Sequence, residues 1–118
     1  MIEWQKYLSN DLLKRQSPNF RQIEKQVSSA EKDLRTFYLV VDEDPEWAST
    51  IAYQAMLRMG RALLFSHGYL PTNRQQHKTV VEITGSILGP EFSVITRQFN
   101  RLRKKRNVFS MIQKILTI

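Results

Sequence analysis

The side chains best equipped for chemistry are concentrated in the run RQFNRLRKKR, from Arg97 to Arg106, which offers planar guanidinium forks suited to phosphate or carboxylate oxygens. Arg106 stands apart within it. Phe92, Ile95, Phe99 and Leu102 recur at steps of three and four, and continuing that register lands on Arg106 and then Phe109. The guanidinium of Arg106 is therefore expected on an inward face, while Arg97, Arg101 and Lys104 fall together on the opposite side at about 100° per residue. An inward arginine must meet an acid, a phosphate or a second subunit, because an unpaired buried charge is costly. Arg97, Arg101, Lys104, Lys105, Arg106 and Asn107 form the expected nucleic-acid or nucleotide-binding set.

Two histidines supply the only imidazoles, the groups suited to move protons near neutral pH. His67, beside Gly68, suits the negative end of a helix, and His77, near a helix start, suits a bond to a carbonyl or carboxylate. Arg61 and His67 are six positions apart, about 120° out of alignment on a helix, so their pairing reads as chance. The carboxylates Asp42, Glu43, Asp44 and Glu46 precede a helix, where acids are expected, and no histidine stands at ligand spacing from them. No metal site and no cofactor are expected. The chain has no glycine-rich phosphate loop and no serine elbow, and the absence of cysteine removes disulfides and thiolate chemistry.

The charge is polarised along the chain. Residues 1–91 hold eleven basic and eleven acidic side chains, whereas residues 92–118 hold seven basic and none acidic, so the whole net charge of +7 belongs to the last segment. Such a segment suits RNA, a nucleotide or an acidic protein surface. The opening MIEWQKYLSNDLLKR lacks the apolar core of a signal peptide, and the longest apolar stretch, Ile51 to Phe65, is interrupted by Arg58 and Arg61. A cytoplasmic protein of one domain, residues 1–118, is expected.

Helices must position these groups. Trp4, Leu8 and Leu12 give a short amphipathic opening that stops before Ser17 and Pro18. Asn19 with Gln22 makes a capping pair, and Ile23, Val27, Ala30, Leu34, Phe37 and Val41 follow in register through the strand-like TFYLVV. Asp44, Pro45 and Glu46 open a third helix whose face is Trp47, Ile51, Ala55, Met59 and Leu63, ending at Gly68. YLPTNR (69–74) reads as a connection, residues 75–88 as a fourth helix with Val80, Ile83, Ile87 and Leu88 inward, and Pro90 as the start of a fifth. The fifth ends near Asn107 or continues to Ile118. Short loops between long amphipathic helices predict an all-α, up-and-down antiparallel bundle of four to five helices.

WASTIAYQAMLRMGRALLFSHGYLP (47–71), HKTVV (77–81) and FNRLRKKRN (99–107), in that order, resemble three successive helices of HEPN domains, a likeness covering about residues 20–110. The resemblance implies a HEPN-like helical bundle that commonly dimerises. It also implies a signature arginine and polar residue, matched by Arg106 and Asn107, four to six residues before a histidine, with two such sites meeting to cleave RNA without metal. Here the histidine is missing: no imidazole follows His77. Some relatives carry a tyrosine after that histidine which a partner nucleotidyltransferase modifies with AMP, yet the last tyrosine here is Tyr69.

Two functions follow as expectations. One is a non-catalytic HEPN homodimer that binds a nucleotidyltransferase, a nucleotide or RNA in a toxin and antitoxin setting. The alternative is a metal-independent ribonuclease toxin with a rearranged site, Arg106 stabilising charge and His77 supplying the imidazole.

Overall fold

Local capping chemistry sets where the two longest early helices begin. Asn19 Oδ1 accepts from the Gln22 amide at 3.2 Å and Asp44 Oδ1 accepts from the Trp47 amide at 3.1 Å, each such cap contributing about 1 kcal/mol. The computed structural model describes the backbone of residues 2–116 and the side chains of 2–106 and 116. In chain order it contains α1 (Trp4–Ser9), β1 (Leu13–Arg15), α2 (Phe20–Val40), α3 (Pro45–Ser66), β2 (Tyr69–Pro71), α4 (Gln76–Leu88), a single 3₁₀ turn (Pro90–Phe92) and α5 (Ser93–Leu116). The result is an all-α bundle of about five helices. The segment 36–41 is helical through Val40, as its place in the heptad-like register requires, and α5 continues well past Asn107.

A small ribbon was not expected. Leu13 to Arg15 pairs antiparallel with Tyr69 to Pro71, so the opening helix stops at Ser9 rather than reaching Leu12, and 69–71 is not simply a connection. Asp11 takes a left-handed φ of 57°, which ends α1 and turns Leu13 into the core. Trp4 then stacks on Tyr69 with ring centroids 4.3 Å apart, fastening α1 over the ribbon.

α3 is the axis of the molecule. It packs against α2 on one side and against α4 and α5 on another, and its buried positions therefore run Ile51, Tyr53, Ala55, Leu57, Gly60, Ala62, Leu64 and Phe65 rather than along one stripe. This corrects the expected face: Trp47 is 55% and Met59 43% exposed. The α3–α4 crossing is tight because Gly60 has no side chain. A Cβ there would come within 2.6 Å of Val80 and 2.7 Å of Thr84, too close to be accommodated. Val80 and Ile83 are fully buried as expected, with Ile87 packed against the edge of the core.

α5 corrects a second register. Phe92 and Ile95 are 41% and 50% exposed, because the start of α5 meets α4 through Thr96, against Gly85. From Phe99 onward the expected register holds, with Leu102 packed on the core and Arg106 partly buried, while Thr96 and Arg103 widen the inner line at steps of three and four from Phe99. Among the described residues no helix is long and apolar enough to cross a membrane.

Candidate functional site

Phe99 is the last apolar side chain on that inner line to be fully buried, and it carries the site. Its ring lies 5.7 Å from that of Tyr53, which is itself 1% exposed at the centre of α3. Tyr53 directs its hydroxyl to Nδ1 of His77 on the first turn of α4, at 3.0 Å. One and two turns beyond Phe99 along α5, the half-buried Arg103 and Arg106 are near enough for their charges to act on both groups, and Arg103 borders the same depression as His77. From α3, Arg61 completes the group. Its Nε and Nη2 both donate to Oε1 of Gln76, at 3.2 and 2.6 Å, while Gln76 Nε2 donates to the Thr72 carbonyl at 3.2 Å. The backbone before α4 is bent to make this possible: Gln75 takes a left-handed φ of 47°, a conformation costly for a residue with a Cβ, and Gln76 and His77 follow from it.

The electrostatics are one-sided. Burial raises the Tyr53 phenol above its ordinary 10.0, opposed by Arg106, Arg103 and Arg61 in that order. Burial also lowers His77 below its ordinary 6.5, and Arg106, Arg61 and Arg103 lower it further. Arg61 is lowered by burial, with Tyr53 acting the other way and Arg58 adding to the shift. At neutral pH the phenol therefore keeps its proton and the imidazole is uncharged. The Tyr53 hydroxyl and Nδ1 of His77 share one hydrogen bond, in which the hydroxyl donates when the imidazole proton is on Nε2 and accepts when it is on Nδ1.

No carboxylate answers the three arginines. The ion pairs among the described residues are Arg58 with Asp33 at 2.7 Å and Lys78 with Glu82 at 4.0 Å, neither of which includes Arg61, Arg103 or Arg106. Arg103 donates to the neutral Asn100 side chain at 3.1 Å, as Arg61 does to Gln76. Beside them opens a depression of about 490 Å³, bordered by Gln75, Gln76, His77, Lys78 and Arg103. Guanidinium groups of which two, Arg61 and Arg103, are held by neutral acceptors beside a neutral imidazole can accept a phosphate dianion with their hydrogen-bonding capacity largely unspent.

Of the residues expected from sequence, Arg106 and His77 are brought to one place, although 29 positions separate them. Arg97, Arg101, Lys104 and Lys105 are exposed as expected. Arg97 and Lys104 border a groove between α4 and α5, and Arg101 is not among its lining residues. The Asn107 side chain lies outside the described residues. His67 caps the end of α3 and packs against Trp4 at 5.7 Å, away from Arg61's partner. Among the described residues no group of three His, Asp or Glu side chains gathers as metal ligands.

Arg61, Tyr53, Gln76 and Arg103 were not expected here. Arg61 carried a signal, an arginine inside the apolar run Ile51 to Phe65, and Arg103 shares a helix face with Arg106 at a separation of three. Tyr53 and Gln76 carried none, because their roles depend on how α3 and α4 cross. Comparison of the chain with protein-family models, with curated proteins and with solved structures returns no match.

Proposed function

We propose that this protein is a HEPN-like helical bundle that binds a phosphate-bearing ligand, a nucleotide or RNA, in the cleft bordered by His77, Lys78 and Arg103 and within the field of Arg61 and Arg106, without turning it over. The observation that carries the proposal is the convergence of three arginines, from α3 and α5, with no carboxylate to neutralise them among the described residues. Clustered cations of this kind are held at a cost that a bound anion offsets. A nucleotidyltransferase partner and pairing of two copies belong to the same proposal. The exposed Phe20, Tyr38, Leu39 and Trp47 on and beside α2 supply apolar surface that a second subunit would cover.

Titration calorimetry with AMP tests the binding function. Wild-type protein is expected to bind with an affinity that falls as salt is added, and Arg61→Gln and Arg106→Gln are each expected to weaken it at least tenfold while remaining folded. Absence of binding by the wild type at low salt overturns the proposal.

A second function, metal-independent ribonuclease action, is favoured by one specific observation: His77, uncharged near neutral pH, lies within the field of Arg106. In that chemistry His77 donates its Nδ1 N–H to the Tyr53 oxygen and uses the Nε2 lone pair to take the proton of the 2′-hydroxyl as it attacks phosphorus. The bond from phosphorus to the 5′-oxygen breaks, the leaving oxygen takes up a proton, and the arginines stabilise the charge that develops on the phosphoryl oxygens. RNA cleavage in excess chelator that is lost in both His77→Ala and Arg106→Ala establishes catalysis. Intact RNA beside measurable binding leaves the binding function standing alone.

A further inference from the structure

A second cationic feature begins where the cleft ends. Lys78 and Arg103 border the cleft and also border a larger groove of about 880 Å³ that runs between α4 and α5 toward Gly89. Its remaining cations are Arg97 and Lys104, on one wall. The helices approach closely beneath it at Gly85, where a Cβ would come within 2.5 Å of Thr96. The only acid on the border, Glu82, is engaged by the Tyr7 hydroxyl at 3.0 Å and by Lys78 at 4.0 Å.

The dimensions select the occupant. From Lys78 to Gly89 the groove follows eleven residues of chain, about 16 Å at 1.5 Å per helical residue. A stacked single strand carries a phosphate about every 3.4 Å, so roughly four would lie along this length. Helices in contact are about 8–10 Å apart between axes, which leaves room for one strand lying along their shared surface and none for a duplex to enter.

We infer that the cleft and the α4–α5 groove form one continuous track that holds a single-stranded polynucleotide of several residues. One phosphate sits in the cleft beside His77 and Arg103, within the field of Arg61 and Arg106, and the following phosphates pass Lys78, Lys104 and Arg97 toward Gly89. This inference rests on the phosphate-binding function of the cleft and adds the length and path of its ligand.

The test compares AMP with single-stranded adenine oligomers of two to eight residues, as RNA and as DNA, by calorimetry and fluorescence anisotropy. Affinity is expected to rise at least tenfold from AMP to the tetranucleotide and then level off, with a steeper salt dependence for the longer ligands. Doubly substituted Arg97→Glu with Lys104→Glu is expected to abolish that gain and leave AMP binding within twofold. The milder Arg97→Gln with Lys104→Gln pair, of the same design, is expected to reduce the salt slope by about 1.4, at roughly 0.7 per lost phosphate contact. A ribose preference appears as a difference between the RNA and DNA arms, either of which supports the track if the length gain is present. AMP binding without a length gain overturns the track and leaves the cleft intact, whereas loss of AMP and oligomer binding together overturns both. Equal displacement of the octamer by poly-glutamate and by poly-adenylate also overturns it, in favour of an acidic protein partner.

Discussion

Arg58 and Arg61 stand three residues apart on α3 and meet opposite fates. Arg58 reaches α2, where it donates to Asp33 at 2.7 Å and to the Ser29 carbonyl at 3.5 Å, so its charge is balanced within the seam between two helices. Arg61 reaches α4, where it finds only the neutral oxygen of Gln76 and shares its surroundings with two more arginines. The first arrangement is complete as it stands and needs no further partner. The second holds Arg61 and Arg103 in place with neutral acceptors, which fixes geometry without cancelling charge. The contrast separates an arginine that joins helices from arginines that wait for an anion.

The largest expected effect breaks the support beneath the second region. Phe99→Ala removes the buried ring on which Tyr53 rests and is expected to cost about 3–5 kcal/mol in urea unfolding, with loss of AMP binding at temperatures where the variant loosens. Gly60→Ala, which forces α3 away from Val80 and Thr84, is expected to cost about 1–3 kcal/mol by the same measurement.

The two arginines themselves give the sharpest contrast. Arg58→Met leaves Asp33 without its partner in a partly covered position and is expected to cost about 1 kcal/mol while AMP affinity stays as in wild type. Arg61→Gln is expected to do the reverse, leaving the unfolding midpoint level or raised, because like charge is relieved, while binding weakens tenfold or more. If both variants change stability and spare binding, the distinction between the seam and the cleft fails.

Acid provides a smaller and reversible effect. His77 is depressed in the folded protein, so its contribution to folding is complete above its ordinary 6.5 and is lost as pH falls through 6.5 toward the depressed value. The groups facing it are Tyr53 and Arg61 from α3 and Arg103 and Arg106 from α5. A bound phosphate favours the imidazolium, so AMP affinity is expected to rise over the same pH interval in which the free protein loses stability. Thermal melts at pH 7.5 and 5.5, with and without AMP, report both signs, and His77→Gln is expected to flatten both. The smallest expected effect is Arg101→Glu, on an exposed position off the groove: stability within about 0.5 kcal/mol and AMP affinity unchanged.

The helices were legible because their signals are local. Asn19 and Asp44 each specify a cap through one side chain and an amide three residues on, and the structure places both helix starts where those pairs require. The ribbon was not legible, since three-residue strands carry too few positions for a period and depend on a partner 56 residues away. Register in α5 was legible only in part. Alternating apolar residues from Phe92 onward suggested one continuous inner face, but burial requires a neighbour, and the first turn of α5 has none to cover Phe92 and Ile95. Arg106 emerged because it interrupts the inner line of its own helix, whereas Arg61, Tyr53 and Gln76 gather only once α3 and α4 cross at Gly60.

The measurement that bears most directly on the cleft is an NMR titration of the two histidine imidazoles, with and without AMP, using His77→Gln to assign the signals. Burial together with the neighbouring arginines predicts that His77 titrates below 6.5 in the free protein and that AMP raises its midpoint. A His77 midpoint at or above 6.5 without ligand, unmoved by AMP, would contradict the account.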